Sequence, residues 1–561
     1  MAYQLFDDLI SRVSTFVHGF NFSEIAGYTD VPDRLIVRPV DVWEGDARRG
    51  SLLFDGIFCK DDEQLSLNVC GWEPKDVDES WISHIHGFTW LRDLRVFAKD
   101  GGPARGQASA MAWMMILAWI DNYNHNKATR SLFYRPDIAG ERLSMWISMF
   151  EFFCPERFDA AGDEEFHDAF FEAVLRHGQY LARYVGVHLQ ARLFGIDALK
   201  AAKGLLYAGL SIEGCEDWRD QALARLKVEV DTQILSDGAH VSRSPVQLLE
   251  ALQILLDVRG AMSSAGQRLP DFVQHAIDRI GPALRFYRYN DRRFGVFHGA
   301  QQGDADFIDS VMAQTGVRGK ALESLPCAGF ERVSKGRTLL VFDCGEPSRA
   351  PHDKSAHASP LSFEMSYTKQ RIFVNCGTHY GDIDWRNALR RGPAHNTLTI
   401  DGHDPVSFTR DGRVDRKPVH MRSMREENKQ SCLLEASHDG FVSLNGYTHT
   451  RRIYIGDDGS DLRGDDCLES LQPLDQPLDV CIRFHLDPNV TISLINNGAE
   501  ALLRLPGGVG WRFKHHGGTL SMEDSVYMGD GGIPRKTKQL VINGQVFDIY
   551  HQFKWCLRKE G

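Results

Sequence analysis

The spacing of apolar residues divides the chain into regions with different periods. From about residue 85 to about residue 292, apolar positions recur every three or four residues. One such run is Ala108, Met111, Ala112, Met115 and Trp119. This period places the apolar side chains on one face of a helix. Consecutive amphipathic helices with short connections pack antiparallel, so the region predicts a helical bundle or an α/α toroid.

From about residue 293 to residue 561 the apolar period changes to two. Short apolar runs such as Thr338–Cys344 and Val480–Phe484 are separated by Gly, Asp, Asn and Pro. This alternation is typical of strands that bury one face. Because many such strands follow one another, the region predicts an antiparallel β-sandwich.

Residues 1–84 show a mixed pattern. Residues 1–20 have apolar positions at helical spacing and predict an amphipathic helix, whereas Leu52–Phe58 reads as strand-like. The predicted fold is therefore an α+β multidomain chain. It has a mixed segment (1–84), a helical bundle or α/α toroid (85–292) and an antiparallel β-sandwich (293–561).

Composition and charge restrict the classes of partner. Hydrophobic residues make up 43% and charged residues 25% of the chain, as in ordinary globular proteins. The formal net charge of −12 disfavours nucleic acid as a partner, and an acidic ligand would need a locally basic cleft. The eleven cysteines form no CxxC pair, which indicates reduced thiols.

The N-terminus carries Asp7 and Asp8 where a signal peptide has Lys or Arg. No stretch approaches the ~20 apolar residues that a membrane-spanning helix needs. We therefore expect a cytoplasmic protein without a membrane span. Export to the periplasm or cell envelope without a leader is the alternative.

Three motifs follow one another in the C-terminal region. They are His357-Ala-Ser-Pro-Leu-Ser-Phe-Glu, Val374-Asn-Cys-Gly-Thr and Ala394-His-Asn-Thr. Upstream stand His86-Gly-Phe-Thr-Trp-Leu and Asp237-Gly-Ala-His-Val-Ser-Arg-Ser-Pro. Together these motifs resemble the heparinase II/III superfamily of polysaccharide lyases. The resemblance implies an enzyme that cleaves an acidic, uronate-containing bacterial glycan by β-elimination, in a cleft between toroid and sandwich.

The resemblance also implies a zinc ion, held at positions 357, 375 and 395. This chain has His357 and His395, but Asn375 stands where the family has Asp. An amide oxygen is a neutral ligand and binds Zn²⁺ more weakly than a carboxylate does. The alternative is that both histidines are hydrogen-bonded core residues and that Asn375 caps a strand end.

Three other family positions are also changed. The family's catalytic histidine corresponds to Ser355, its Asn-His pair to Ile196 and Asp197, and the Tyr after its Ser-Pro to Gln247. Lyase chemistry would then have to come from other groups. It needs a cation or strong donors on the uronate carboxylate, a base at C5 and an acid at the leaving oxygen.

Nine residues are candidates for these roles. The predicted catalytic residues are His240, Arg243, Tyr380 and His352, and the predicted substrate-binding residues are His86, Trp90, Arg386, Arg390 and Arg391. Arg243 suits a bidentate contact with a carboxylate. Taken singly, each also has a structural interpretation, as a core tryptophan or as an arginine in a solvated turn.

Two other functions stay open. One is glycoside hydrolysis on the same scaffold, with paired carboxylates among Asp353, Glu364, Asp382 and Asp384. The other is a non-catalytic glycan-binding or envelope-assembly protein, which the changed catalytic positions favour. The expected partner is an acidic polysaccharide or oligosaccharide in each case, and a homodimer is left open.

Overall fold

The computed structural model describes residues 31–60, 63–67, 71–74, 77–100, 103–125, 135–154, 163–186 and 193–560. The predicted helix over residues 1–20 lies outside these ranges. The chain forms two compact units. The first consists of residues 1–231 and 253–274, and the second of residues 232–252 and 275–561.

Within the described ranges the chain forms fourteen α-helices. They are α1 Ala47–Phe54, α2 Glu79–Gly87, α3 Leu91–Phe97, α4 Pro103–His125, α5 Pro136–Ser148, α6 Phe150–Phe153, α7 Asp163–Val185, α8 Gly195–Ser211, α9 Glu216–Gln233, α10 Pro245–Ser264, α11 Asp271–Tyr287, α12 Ala305–Gln314, α13 Ile383–Leu389 and α14 Val442–Asn445. The apolar run that ends at Trp119 lies in α4. A helix, α12, also occurs beyond residue 292. Asp304 caps this helix by accepting a hydrogen bond from the Phe307 amide.

The strands are all antiparallel within their sheets. They are β1 Ile57–Lys60, β2 Glu63–Ser66, β3 Ser324–Leu325, β4 Phe330–Lys335, β5 Thr338–Asp343, β6 Phe363–Tyr367, β7 Gln370–Phe373, β8 Leu398–Ile400, β9 Ser407–Phe408, β10 Val414–Arg416, β11 Met421–Glu427, β12 Ser431–Phe441, β13 Tyr447–Gly456, β14 Asp461–Ser470, β15 Leu478–His485, β16 Thr491–Ile495, β17 Glu500–Arg504, β18 Gly510–His516, β19 Thr519–Tyr527, β20 Arg535–Val546 and β21 Tyr550–Lys559. The α+β multidomain fold is thereby confirmed. The prediction of a strand over Leu52–Phe58 is corrected, since the first half of this run forms the end of α1.

The helices of the first unit pack closely where glycines meet. Helices α5 and α8 cross at Gly140 and Gly204, and a Cβ on Gly140 would lie 2.3 Å from the carbonyl oxygen of Lys200. A larger residue would therefore push the two helices apart. In the parts of the chain that the structure describes, no helix is long and apolar enough to span a bilayer. Closure of the helices into a toroid stays a prediction.

The second unit contains three larger sheets. Their strand orders are β3-β4-β5-β6-β7, β19-β20-β15-β8 and β11-β12-β13-β14-β21-β18-β17-β16. Side chains from all three enter one hydrophobic core, which includes Phe342, Phe363, Ile482, Phe513 and Trp555. Strand β13 alternates between buried and half-buried positions along its whole length, and β12 does so up to its last two residues, which are both buried, as the period of two predicts.

Candidate functional site

A network of polar side chains is buried in the second unit, and Arg243 is its central cation. Arg243 lies in the turn before α10 with a φ of 64°. Its Nε donates to the Ala328 carbonyl at 2.6 Å and its Nη2 to the Gly329 carbonyl at 3.1 Å. Nη2 also forms an ion pair with Asp343. The guanidinium lies over the Phe330 ring, 4.5 Å from its centroid. Arg243 is thus fully engaged inside the protein.

Asp343 gathers the polar groups of this network. Oδ2 of Asp343 lies 3.0 Å from His298 Nε2 and accepts a hydrogen bond from Ser359 Oγ at 3.1 Å. Burial raises the pKa of this carboxyl, but the charges of Arg243 and His298 outweigh burial and lower the pKa to about 2. Asp343 is therefore ionised at neutral pH, and its charge is balanced by Arg243.

His240 is also internal. Its ring nitrogens lie 2.6 Å from Ser242 Oγ and 2.9 Å from Gln233 Oε1. Burial, together with the nearby His352, lowers the pKa of His240 to about 3. The expectation that His240 and Arg243 face a substrate is thus corrected, since both side chains are buried and bonded within the protein.

The three residues of the predicted metal site do lie together. His357 Nδ1 is 3.1 Å from His395 Nε2, and all three side chains are buried. Asn375 Oδ1 accepts a hydrogen bond from the Asn396 amide at 3.2 Å. Asn375 Nδ2 donates to the Val296 carbonyl at 3.3 Å. The amide of Asn375 therefore connects two backbone segments instead of facing the histidine pair as a charged ligand.

This arrangement does not fit the zinc ion that the resemblance implies. Structural zinc sites have four ligands and catalytic sites three, drawn mainly from Cys, His and carboxylates. Among the described residues, no group of three such side chains is placed to hold a metal ion. Burial and the neighbouring His395 also hold the pKa of His357 far below its usual range, so the pair is neutral without an ion.

His352 and Ser355 lie in the loop before the histidine pair. The half-buried His352 ring packs against His240 at a centroid distance of 6.4 Å. Burial lowers the pKa of His352, so its imidazole is neutral at neutral pH. Ser355 Oγ is buried without a hydrogen-bond partner among the described residues. Of the four predicted catalytic residues, only His352 and Tyr380 keep solvent access.

The other candidates of the second unit lie in residues 378–391, which we call the 378–391 segment. Asp382 caps α13 by accepting hydrogen bonds from the Asp384 and Trp385 amides. Tyr380 is 48% exposed and Trp385 38%, and Tyr380 donates its hydroxyl to the Gly299 carbonyl at 3.1 Å. The segment thus presents two aromatic side chains to solvent.

The three arginines of this segment differ. Arg390 is buried, donates to the Ala356 and Gly412 carbonyls and lies over the Phe408 ring, so its predicted substrate contact is corrected to a structural role. Arg391 forms an ion pair with Asp404. Half-buried Arg386 has no ion-pair partner among the residues that the structure describes. Of the three arginines, Arg386 is therefore the one that is neither buried nor paired with a carboxylate among the described residues.

His86 and Trp90 belong to the core of the first unit. Trp90 is buried and donates Nε1 to the Ile85 carbonyl at 3.0 Å. His86 is buried and its Nδ1 accepts a hydrogen bond from Trp119 Nε1 at 3.0 Å. Their predicted substrate-binding role is corrected to packing, because neither ring reaches solvent.

The carboxylates considered for hydrolysis do not form an exposed pair. Asp353 is buried and pairs with Arg413 at 2.7 Å. Glu364 is buried and accepts hydrogen bonds from the Val296 and Asn375 amides. Asp382 caps a helix and Asp384 is exposed on it. No acid and base pair follows from these positions.

Two residues of the buried network, Asp343 and His298, were missed from the sequence. Asp343 ends a strand in which every residue is buried. A single carboxylate at the end of a wholly apolar run signals a buried cation, and this signal was available. His298 stands outside the motifs in a turn with a φ of 45°, and no sequence signal points to it.

Comparison with known proteins covers nearly the whole chain. The model of the heparinase II/III N-terminus matches residues 66–315, and that of the heparinase II/III-like C-terminal domain matches residues 317–556. FtsZ-localized protein C from Caulobacter vibrioides is 27% identical over 547 residues, which are 94% of this chain and 91% of that protein. Heparin-sulfate lyase from Pedobacter heparinus is 22% identical over 376 residues, 61% of this chain and 54% of that protein.

Solved structures agree at the level of the fold. A heparinase III structure superposes with a TM-score of 0.69 at 13% identity, covering 100% of this chain and 91% of its own. Heparan sulfate lyase HepC from Pedobacter heparinus superposes with a TM-score of 0.61 at 15% identity, covering 100% and 88%. By its two domain matches, this chain belongs to the heparinase II/III family of polysaccharide lyase-like proteins.

Proposed function

We propose that this protein binds an acidic polysaccharide at the 378–391 segment, and that Arg386 receives a carboxylate of the glycan. The observation that carries the proposal is the lack of an ion-pair partner for Arg386 among the described residues. A guanidinium contacts a carboxylate through two parallel hydrogen bonds, which makes it selective for uronates over neutral sugars. The exposed rings of Tyr380 and Trp385 supply flat apolar surfaces for sugar rings.

Binding without β-elimination is the primary interpretation. Elimination requires strong stabilisation of the dianionic enolate that forms at the uronate carboxylate. Arg243, the cation first assigned to that task, is already paired with Asp343 in the interior. The positions that the resemblance links to catalysis carry Ser355 and Gln247.

Turnover by β-elimination is the second candidate, and His352 favours it. Its imidazole is half-buried and its pKa is lowered by burial, so it is a neutral base at physiological pH. Tyr380, which is 48% exposed, would serve as the acid at the leaving oxygen once its hydroxyl leaves the Gly299 carbonyl. In this scheme Arg386 holds the carboxylate while His352 removes the C5 proton.

The likeness to FtsZ-localized protein C extends over 94% of this chain and supports a cellular setting. We infer that the glycan is an acidic polymer of the cell envelope and that the protein acts at the division site. A fluorescent fusion that distributes evenly along dividing cells would contradict this setting without touching the binding proposal.

The binding proposal is tested by titrating galacturonate oligomers into the full chain and into two variants. Arg386→Gln removes the charge, and Arg337→Gln removes an exposed charge from the turn between β4 and β5 as the matched control. We expect Arg386→Gln to weaken binding about tenfold and the control to match the parent. Equal affinities in all three proteins would reject the assignment. Ultraviolet absorbance of unsaturated product, lost in His352→Ala, would favour turnover.

A further inference from the structure

The eight-stranded sheet carries a groove on its outer face, within the second unit. The groove has a volume of about 430 Å³. Its lining includes Arg452, Tyr454, Arg463, Lys514, Lys554 and Arg558. None of these residues belongs to the 378–391 segment or to the buried network around Asp343, so the outer-sheet groove is a separate feature of the molecule.

The register of the strands explains why a groove forms here. Cys556 on β21 lies opposite Arg463 on β14 and Lys514 on β18. A short side chain is therefore flanked on both sides by long ones. Cys556 therefore forms a low floor between these long cationic side chains.

The cations are spread across consecutive strands. Arg452 is on β13, Arg463 on β14, Lys554 on β21 and Lys514 on β18, and these strands are neighbours in the sheet. Adjacent strands lie about 4.8 Å apart. Arg452 and Lys554 lie in one row across the strands, and Arg463 and Lys514 lie in the adjacent row. A chain of acidic groups that alternates between these two rows thus meets one cation at every strand.

The lining keeps a net positive charge. Asp465, which contacts Arg452 at 3.3 Å, is the one acidic residue of the lining. Asp461 contacts both Arg463 at 2.5 Å and Arg558 at 3.0 Å, so two cations share one carboxylate. Lys554 has no ion-pair partner in the described part of the chain.

Carboxylates outside the groove form ion pairs with the cations that line it. Glu435 contacts Arg452 at 2.5 Å, and Glu500 contacts Lys514 at 3.0 Å. These pairs fix the cations in place and leave them open to solvent, since the side chain of Lys514 is 51% exposed and that of Arg463 55%. Exposed pairs of this kind are weak, so an incoming anion competes with them.

We propose that the outer-sheet groove is a second binding site, for an acidic oligosaccharide whose carboxylates meet Arg463, Lys554 and Lys514. Half-buried Tyr454 adds an aromatic ring to the lining, and the Arg463 guanidinium lies over that ring, 5.4 Å from its centroid. The site shares its ligand class with the proposed function but rests on different residues. It lets one polysaccharide chain be held at two points on the same protein.

The geometry favours an oligosaccharide over two other polyanions. A flat anionic membrane would meet Glu435, Asp461 and Glu500 around the groove before it reached the floor. A single-stranded nucleic acid needs aromatic side chains under successive bases, whereas in this lining Trp555 is buried and half-buried Tyr454 lies beneath the Arg463 guanidinium. A carboxylate-bearing chain matches the charge of the lining.

The test uses tetragalacturonate as the acidic probe and maltotetraose as its neutral counterpart, with the full chain. Lys554→Glu reverses the unpaired charge of the groove, and Lys536→Glu, on exposed β20 surface, is the matched control. We expect two tetragalacturonate sites in the parent. Lys554→Glu weakens one of them about tenfold or more, and Lys536→Glu weakens neither. Maltotetraose binds neither site.

A second measurement locates the ligand. Maleimide modification of Cys556 on the groove floor is followed by mass spectrometry, with the exposed Cys327 as internal reference. We expect tetragalacturonate to slow modification of Cys556, and not of Cys327, even in the Arg386→Gln variant. Protection of Cys556 combined with unchanged affinity at the Arg386 site would uphold the groove and reject the proposed function.

Three results would overturn the groove proposal. One is unprotected Cys556 at saturating tetragalacturonate. Another is an affinity that Lys554→Glu and Lys536→Glu lower equally. The third is tighter binding of phosphatidylglycerol vesicles or oligothymidylate than of tetragalacturonate, lost in Lys554→Glu, which would assign the groove to a membrane or to nucleic acid.

Discussion

The buried network around Asp343 and the exposed 378–391 segment carry similar side chains in opposite settings. Both contain arginine, histidine and aspartate, and the sequence assigned Arg243 of the network and the arginines of the segment to the same active site. In the network, Arg243 is paired and its neighbour His298 is buried. In the segment, Arg386 has no ion-pair partner among the described residues. Burial, and not residue type, separates a structural arginine from one available to a ligand.

The physical basis of this difference is desolvation. A charge taken out of water must recover the lost hydration from a partner, and a buried pair that loses one member leaves the other uncompensated. A surface charge keeps its water and contributes little to stability. The two regions should therefore respond to the same substitution with effects of very different size.

The largest effect is expected for Arg243→Ala. The change leaves the ionised Asp343 in the interior without its cation and should lower the free energy of unfolding by about 3–5 kcal/mol. This reverses the expectation from sequence, in which Arg243→Ala acts on turnover rather than on stability. Urea denaturation measures the change, and a loss below about 1 kcal/mol would return Arg243 to the list of functional residues.

A second buried carboxyl group, that of Glu364, should make the stability of the protein depend on pH. Burial raises the pKa of Glu364 from 4.5 to about 7, against the opposing charge of Arg371. The folded state then holds a proton that the unfolded state has released. Stability from this group is complete below pH 4.5 and is lost as the pH rises through 7, by about 3 kcal/mol.

Glu364→Gln should remove that pH dependence. The amide cannot ionise, so the unfolding free energy of the parent relative to that of the variant should fall by about 3 kcal/mol between pH 4.5 and 7, while the contributions of the other titrating groups cancel in this difference. Thermal unfolding at a series of pH values makes the measurement. Parallel profiles for parent and variant would mean that Glu364 titrates near its ordinary value.

A third variant tests the histidine pair. Asn375→Asp introduces a carboxylate at the position where the resemblance implies a zinc ligand, and a carboxylate that turns from the Asn396 amide toward His357 and His395 would complete a three-ligand set. We expect the variant to be less stable than the parent without metal, and to regain about 2–3 kcal/mol when zinc is present at roughly 100 times its Kd. Zinc should leave the melting temperature of the parent unchanged. Equal zinc stabilisation of both proteins would show that Asn375 already suffices.

The smallest effect on stability is expected for Arg386→Ala. This side chain forms no ion pair in the described structure, so its loss should change the free energy of unfolding by less than about 0.5 kcal/mol. When the unfolding free energies of Arg386→Ala and Arg243→Ala are measured in the same buffer, the difference between them reports the effect of burial. A loss comparable with that of Arg243→Ala would place Arg386 in the structural network.

The sequence predicted the fold well because the fold depends on periodicity. The helical period around Trp119 and the alternation of buried and half-buried residues in β12 and β13 both reflect local backbone geometry, which each short stretch carries by itself. The prediction of a strand over Leu52–Phe58 was wrong because a run this short carries too little periodicity: a short apolar run does not distinguish a helix end from a strand.

The candidate site was predicted less well. The order of the motifs correctly brought His357, Asn375 and His395 together. It did not reveal that Arg243 pairs with Asp343, a residue one hundred positions away. Side-chain type indicates which chemistry is available, but long-range contacts decide whether the group is free to perform it.

By itself, the sequence determined the succession of helices and strands, the family motifs and the change from Asp to Asn at position 375. Only the tertiary structure decided which charges are neutralised within the protein. The outer-sheet groove is of the second kind, because Arg463, Cys556 and Lys514 are distant in sequence and become neighbours through strand register. Periodicity is a local property of the chain, whereas burial and pairing arise when distant segments exclude water together.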